Sequence, residues 1–310
     1  MSRIQQVLQK AEQEGTARRT RGLGDGPARA RRPPVLVDPS LPVSVEVVDR
    51  TTRPIPEFES PRTEVEARPN GLLVAATAPH SPAAERYRSL RTRIAQVEDG
   101  TLRRVVLMTS PGRGEGKSVT TLNLGITMAQ EFHRRTVVVD ADLRRPRVHA
   151  LLGLPVGPGL SDVLLGGATL EDALVGIPDY RLTVLPAGPP TEQPTELLGS
   201  TAMRRLLEQL RAQFDRVLVD CAPAFPLADA GVLARLVDGV VLIVRAGVTK
   251  RPAIEQTLSE VDATKVLGLV LNDAGGPEAS SYGYEPEPAA TAAGKRRNAR
   301  AAARAAAGAP

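Results

Sequence analysis

The sequence predicts an α/β fold of the doubly wound class, in which one mainly parallel sheet carries helices on both faces. Apolar runs rich in Val and Leu recur between residues 105 and 271 and alternate with segments of helical periodicity. Such near-continuous apolar runs are typical of strands that are buried on both faces of a parallel sheet. The run at residues 105–108 also breaks into a glycine-rich loop that ends in Lys117 and Ser118, after which a helix-like segment follows. This order of strand, loop and helix anchors the prediction.

The composition restricts the class of protein. A chain of 310 residues has room for one or two domains. It contains a single cysteine and no apolar run that approaches the ~20 residues needed to cross a bilayer. The single cysteine, with no obvious secretory segment, favours the reducing environment of the cytoplasm. Any membrane contact is then expected at the inner face of the cell membrane, through a partner.

The basic charge lies mainly in the first residues of the chain. Residues 1–35 carry 8 Lys/Arg against 3 Asp/Glu, whereas residues 71–274 carry 23 against 22. Aromatic residues make up only 3% of the chain, which leaves few rings on which bases could stack. We therefore expect no nucleic-acid partner. The basic termini suit contact with an anionic membrane surface or a partner, although they could equally serve solubility.

The chain divides into four segments by composition and periodicity. Residues 1–15 have the apolar spacing of a short amphipathic helix, and residues 16–70, rich in Arg, Pro and Gly, indicate a mostly disordered linker. The α/β domain is predicted at residues 71–275. Residues 276–310 are predicted to be a flexible, low-complexity tail, which contains Tyr282 and Tyr284.

A helix is predicted at residues 82–97, with one polar face. Glu85, Arg88 and Arg91 follow one another at spacings of three and therefore share that face. The face could be solvated and joined by local ion pairs. It could also be a contact between subunits, where a carboxylate of one protomer meets guanidinium groups of the next.

The loop at residues 112–118 has the features of a phosphate-binding loop. Its glycines allow backbone N–H groups to converge on phosphate oxygens, and the helix that follows adds the positive end of its dipole. Lys117 is expected to contact the β- and γ-phosphates, and the Ser118 hydroxyl to ligate Mg²⁺. Pro111 stands where the strict pattern has its first glycine. The predicted nucleotide-binding residues are Gly112, Arg113, Gly114, Glu115, Gly116, Lys117, Ser118 and Val119.

Acidic residues follow two of the later strands. Asp140 and Asp142 come after the run at 136–139, and Asp220 ends the run at 216–219. Because parallel strands present their carboxyl ends to one crevice, these side chains should face the phosphate loop. Carboxylates there suit Mg²⁺ positioning and proton acceptance, although a strand-ending Asp can equally cap the next helix.

The remaining elements complete the alternation. Strands are predicted at residues 182–185, 240–244 and 266–271, and helices at 201–214 and 230–236. Gly166 and Gly167 should divide residues 160–174 into two short helices.

Seven ordered segments between residues 72 and 275 form a specific set. They are ERYRSLRT at 85–92, GEGKS at 114–118, VVVDADLRRPRVH at 137–149, GLSDVL at 159–164, LPAG at 185–188, FDRVLVD at 214–220 and VLGLVLN at 266–272. In this order they resemble the motifs of the bacterial tyrosine kinases of capsule and exopolysaccharide loci, within the larger group of MinD/ParA-like P-loop ATPases.

The resemblance implies roles for particular residues. Lys117 and Ser118 correspond to the Walker A lysine and Mg²⁺ ligand. Asp140 and Asp142 correspond to the acidic pair of a second Walker-type motif, in which one carboxylate is the base for a tyrosine hydroxyl and Asp140 is also near the metal. Asp220 corresponds to the Walker B carboxylate, which binds Mg²⁺ through water.

Further implications concern the nucleotide and the assembly. Asn272 matches a position near the adenine, and Glu85, Arg88 and Arg91 match the helix through which family members form rings. The implied cofactors are ATP and Mg²⁺. The implied partners are other copies of the chain and a membrane-embedded polysaccharide co-polymerase, or chain-length regulator, whose cytoplasmic end activates the kinase.

The chain departs from the family pattern in ways that leave an alternative open. Cys221 and the two residues after it replace a more usual Thr-Pro-Pro, and the tyrosine-rich tail of the family is reduced to Tyr282 and Tyr284. The expected function is tyrosine autophosphorylation with those tyrosines as acceptors. The alternative is an ATP-dependent oligomerisation switch. A partitioning ATPase is disfavoured, because Gly112 occupies the place of its additional lysine.

Overall fold

The computed structural model describes residues 61–97, 103–131, 134–262 and 264–274. Within them lies an eight-stranded sheet in the order β1-β4-β5-β3-β6-β2-β7-β8. The strands are β1 Thr63–Glu64, β2 Val105–Thr109, β3 Thr136–Ala141, β4 Val175–Ile177, β5 Leu182–Leu185, β6 Arg216–Cys221, β7 Gly239–Arg245 and β8 Val266–Asn272. The strands from β5 to β8 in this order are all parallel, whereas β4 is antiparallel to β5 and parallel to β1. The predicted α/β fold with a mainly parallel sheet is confirmed.

Helices cover both faces of this sheet. They are α1 Val74–Thr77, α2 Pro82–Val97, α3 Lys117–Ala129, α4 Val148–Leu152, α5 Leu160–Leu165, α6 Leu170–Ala173, α7 Pro194–Leu198, α8 Thr201–Gln213, α9 Asp229–Ala234 and α10 Arg251–Glu260, with a 3₁₀ turn at Pro178–Tyr180. Residues of α1 to α4 pack with one face of the sheet, and residues of α5 to α9 pack with the other. Among the described residues, no helix combines the length and the apolar character needed to cross a membrane.

The alternation of side chains along β2 builds the two cores. Val105 and Leu107 face the layer of α5 to α9, while Val106 and Met108 face the layer of α1 to α4. All four are almost fully buried. A strand buried on both faces needs apolar residues at every position, which explains why the sequence shows a continuous run instead of alternation.

The domain begins earlier than residue 71, so the predicted linker boundary is wrong for residues 61–70. Val65 donates its backbone N–H to the Gly176 carbonyl at 3.0 Å, and Arg68 donates to the Leu152 carbonyl at 2.8 Å. These bonds attach the segment to β4 and α4, and the short strand β1 extends the sheet. The predicted helix at 1–15, the linker up to residue 60, and the tail with Tyr282 and Tyr284 lie outside the described residues.

The predicted helix at residues 82–97 is confirmed as α2, and its polar residues have partners within the chain. Arg88 Nη1 lies 2.8 Å from Glu85 Oε2, as expected of a local ion pair. Arg91 instead reaches α3, where Nη1 donates to the Thr127 carbonyl at 2.9 Å and Nε lies 3.2 Å from Glu131 Oε1. Glu85 and Arg88 therefore form the more exposed part of this face.

Candidate active site

The phosphate loop connects β2 to α3, and its glycines are required by the backbone. Gly114 and Gly116 have φ angles of +75° and +87°, which side chains with a Cβ rarely adopt. A Cβ on Gly116 would also lie 2.0 Å from Asn272 Nδ2. At the start of the loop, the Ser110 hydroxyl donates to the Gly112 carbonyl at 2.7 Å. Since α3 starts at Lys117, the loop delivers its last residues to a helix N-terminus.

Lys117 is held beside two carboxylates. Its Nζ donates to Asp142 Oδ2 at 2.8 Å, and only 13% of its side chain is exposed. Burial by itself would lower the pKa of Lys117, but the negative charges of Asp220 and Asp142 outweigh burial and raise this pKa above its usual value. The ammonium group is therefore charged, and it lies at the carboxyl ends of β3 and β6, next to Asp142 and Asp220.

Asp220 is fully buried at the end of β6 and has an unsatisfied oxygen. The Thr121 hydroxyl donates to Oδ1 at 3.4 Å, whereas Oδ2 has no hydrogen-bond partner. Burial is the main cause that raises the pKa of Asp220 to about 6, while Lys117 and the Ser118 hydroxyl act in the opposite direction. A buried carboxylate oxygen without a partner commonly marks the place of a missing ion or water.

This arrangement fits Mg²⁺ held largely by a nucleotide. The described residues contain no group of three or more His, Cys, Asp or Glu that could hold a metal ion by themselves. Mg²⁺ usually takes one or two protein oxygens and completes its shell with water and phosphate oxygens. The Ser118 hydroxyl and the free oxygen of Asp220 match that donor set.

Asp140 and Asp142 have separate roles in the structure. Asp140 Oδ2 accepts backbone hydrogen bonds from Arg147 and Val148 at 3.1 and 3.0 Å, and Oδ1 accepts from the Asp142 N–H at 3.2 Å. Asp140 thus organises the turn that leads into α4, which was the capping interpretation of the sequence. Burial, followed by the charge of Asp220, raises the pKa of Asp140 to about 7. Asp142 is the member of the pair that contacts Lys117.

An ion pair between the exposed Arg144 and the buried Asp229 supports the loop that carries Asp142, and the sequence did not predict it. Arg144 Nε lies 2.7 Å from Asp229 Oδ2, and Asp229 at the start of α9 is only 1% exposed. The Thr195 hydroxyl of α7 also donates to Asp229 and accepts from Arg144. These contacts join the loop after β3 to two helices that are distant in sequence. The only signal available was an Arg two residues after Asp142.

Asn272 at the end of β8 lies against the phosphate loop. Its Nδ2 donates to the Glu115 carbonyl at 2.9 Å. Thr249, in the turn after β7, donates to the Glu115 carboxylate at 2.7 Å and had not been identified from the sequence. The structure therefore brings Glu115, Gly116, Lys117 and Asn272 together. Arg113 and Gly114 are exposed on the outer side of the loop.

The chain is similar to several bacterial proteins. It is 36% identical over 217 residues to the tyrosine-protein kinase YwqD of Bacillus subtilis (strain 168), covering 68% of this chain and 90% of YwqD. It is 32% identical over 214 residues to the succinoglycan biosynthesis transport protein ExoP of Rhizobium meliloti (strain 1021), but spans only 27% of that protein. No protein-family model matches the chain.

Two solved structures have a similar fold. The chimerical protein CapA2B2 superposes with a TM-score of 0.61 at 30% identity, covering 67% of this chain and 92% of that chain. The kinase domain of the Escherichia coli tyrosine kinase ETK gives a TM-score of 0.61 at 28% identity, covering 68% and 84%. The aligned part of this chain, 67–68% of its residues, is about as long as the part that the structure describes.

Proposed function

Because the chain belongs to the family of bacterial tyrosine-protein kinases, we propose that it is an ATP-dependent tyrosine autokinase of polysaccharide synthesis and export. The observation that carries the proposal is the contact of Lys117 with Asp142 beside the unsatisfied oxygen of Asp220. A cation and two carboxylates at the end of a phosphate loop form a site for phosphoryl transfer, in which positioning and charge neutralisation do most of the catalysis.

Most of the proposed site residues would bind the nucleotide and its Mg²⁺. The loop from Gly112 to Val119 would bind the phosphates through backbone N–H groups, and Asn272 would lie on the side of the adenine. Lys117 would neutralise charge on the transferring phosphoryl group. Mg²⁺, when bound between Ser118 and Asp220, would supply further positive charge to the phosphates. This second cation would also match the unsatisfied oxygen of Asp220.

Asp142 is the better candidate for the base that accepts the tyrosine proton. Both oxygens of Asp140 accept backbone hydrogen bonds and are fully buried, so a substrate hydroxyl would have to displace them. Asp142 also has both oxygens engaged, Oδ1 by the Arg145 N–H at 3.0 Å and Oδ2 by Lys117. It has fewer backbone partners than Asp140, however, and it is 4% exposed beside the ammonium group that would contact the phosphates. Asp140 would contribute its charge near the metal. Its hydrogen bonds to backbone N–H groups would stabilise the loop after β3, which carries Asp142.

The biological setting is a proposal that follows from the relatives. ExoP is a succinoglycan biosynthesis transport protein, and the chain corresponds to about a quarter of its length. We propose that the partner of this chain is a membrane-embedded chain-length regulator of the polysaccharide. Its cytoplasmic end would bind this chain at the inner face of the membrane and activate it.

Tyr282 and Tyr284 are the proposed phosphate acceptors. When the purified full chain is incubated with Mg·ATP, we expect phosphotyrosine by immunoblot and mass spectrometry, and a double Tyr282→Phe/Tyr284→Phe variant should lose most of it. The chain has only two other tyrosines, Tyr87 and Tyr180, and burial raises the pKa of each. A Tyr87→Phe/Tyr180→Phe variant is the matched control and should keep the signal. Absence of phosphotyrosine from the wild type, even with the cytoplasmic segment of the partner added, would contradict the kinase proposal.

Glu85 and Arg88 are proposed to form part of a contact between copies of the chain. We expect the unphosphorylated wild type to sediment as an oligomer in analytical ultracentrifugation, and Glu85→Ala to shift it towards the monomer. An exposed ion pair of this kind is worth only about 0–1 kcal/mol within one chain, so the variant should remain folded. Arg93→Ala, exposed on the same helix, should sediment like the wild type. A monomeric wild type at high concentration would exclude this contact.

A further inference from the structure

The turn after β7 is closed by the side chain of Thr249. The Thr249 N–H donates to the Arg245 carbonyl at 3.0 Å, and the Arg245 N–H donates to Thr249 Oγ1 at 2.8 Å. The Ala246 N–H donates to the Asn272 carbonyl at 2.9 Å, which ties the turn to the end of β8. The Thr249 hydroxyl oxygen is thus held in place by its own turn.

The proton of this hydroxyl is directed to the phosphate loop. Thr249 Oγ1 lies 2.7 Å from Glu115 Oε1. An amide N–H can only donate and a carboxylate can only accept, so the order of donors is fixed from Arg245 through Thr249 to Glu115. Hydrogen bonds arranged head to tail strengthen one another in a buried setting.

Glu115 is the residue through which this contact reaches the nucleotide site. It is only 5% exposed, and its Oε2 has no hydrogen-bond partner. Gly112, at the start of the loop, lies close to the Glu115 carboxylate, because a Cβ on Gly112 would be 3.3 Å from Glu115 Oε1. The Glu115 carbonyl accepts from Asn272 at 2.9 Å. Glu115 therefore connects the phosphate loop to the turn after β7 and to the end of β8.

We propose that Thr249 is a positioning residue, which acts through Glu115 to hold the phosphate loop in the shape that binds nucleotide. The inference rests on the proposed Mg·ATP site and extends it to a residue outside every motif found in the sequence. A loop that is ordered before binding does not have to be ordered by the ligand, so preorganisation raises affinity.

The proposal predicts a particular kinetic pattern. The contact is present without nucleotide and touches none of the reacting atoms, so it should favour the ground state and the transition state equally. Loss of such uniform binding raises KM and leaves kcat unchanged. A hydrogen bond to a charged group is worth enough for Thr249→Val to weaken Mg·ATP binding about tenfold. Thr249→Ser keeps the hydroxyl and should stay within about twofold of the wild type.

The test uses the full chain, with calorimetric titration of Mg·ATP and steady-state kinase kinetics. Thr257→Val is the matched control, because Thr257 is a buried threonine of the neighbouring α10 whose hydroxyl donates only to the Ala253 carbonyl. Its Kd for Mg·ATP should equal that of the wild type. Glu115→Gln, which keeps an acceptor but not the charge, should weaken binding by itself. Added to Thr249→Val, it should weaken binding by less than the two separate effects combined.

Each outcome decides the proposal. A higher KM and Kd for Thr249→Val, with kcat kept and Thr249→Ser intact, supports it. Equal affinity of Thr249→Val and wild type, or an equal loss in Thr249→Ser, overturns it while the Mg·ATP site stands. If Thr249→Val does not fold, unchanged affinity in Glu115→Gln overturns it. A wild type that binds no Mg·ATP overturns both the site and the inference.

Discussion

Replacing Lys117 with Met is expected to reduce ATP-dependent tyrosine phosphorylation by about a hundredfold or more, the usual consequence of removing one group that stabilises charge in a transition state. The ammonium group is the cation that the carboxylates of Asp142 and Asp220 surround. Without it, two negative charges would face the negative phosphates. The measurement is the initial rate of phosphotyrosine formation at saturating Mg·ATP, with Kd determined separately.

Lys265→Met is the control for the loss of a lysine. Lys265 Nζ donates to the carbonyls of Ala234 and Arg235 at 3.0 and 3.1 Å, just before β8 begins and thus at the end of the sheet opposite the site. Its rate should match the wild type. If Lys117→Met kept the wild-type rate, the phosphate loop would not be the catalytic site.

Replacing Asp220 with Asn should also reduce activity by about a hundredfold or more, and it should do so without destabilising the nucleotide-free protein. In that state Asp220 is a fully buried carboxylate with one unsatisfied oxygen. Burial raises its pKa, which means that the ionised form is unfavourable there. Lys117 keeps Asp142 as its ion-pair partner in this variant, so the free energy of unfolding should stay within about 1 kcal/mol of the wild-type value.

The two effects are measured on the same preparation. Denaturant unfolding without nucleotide or Mg²⁺ gives the stability, and the kinase assay gives the rate. Asp179→Asn, at an exposed position, should change neither. If Asp220→Asn were inactive because it had lost stability, Asp220 would be a structural residue and the magnesium proposal would be wrong.

The sequence predicted the long strands well because their residues are buried on both sides. The run at 182–185 is β5, and the runs at 216–219 and 266–271 lie within β6 and β8. It did not predict β1 or β4, since two or three residues are too few to show a period. The helix α10 was not predicted either, and it has Pro252 in its first turn, where proline is compatible with a helix.

The site could be predicted only as far as local patterns allow. Glycines, Lys117 and the strand-ending aspartates identify a phosphate site because their spacing follows from strand, loop and helix. The same pattern cannot separate Asp140 from Asp142, which differ in the backbone amides that surround them. Thr249 and Glu115 are 134 residues apart, and only the register of β7 beside β2 brings them together.

The strands β1 and β4, at one edge of the sheet, are antiparallel to the other strands, so the described part of the chain begins and finishes at the same end of the sheet. Since β1 runs opposite to β8, residue 61 and residue 274 both lie at the end of the sheet that holds the phosphate loop. They are on opposite lateral edges, seven strand spacings or roughly 34 Å apart. Molecules that bind next to residue 61 and next to residue 274 would therefore approach different edges of the sheet.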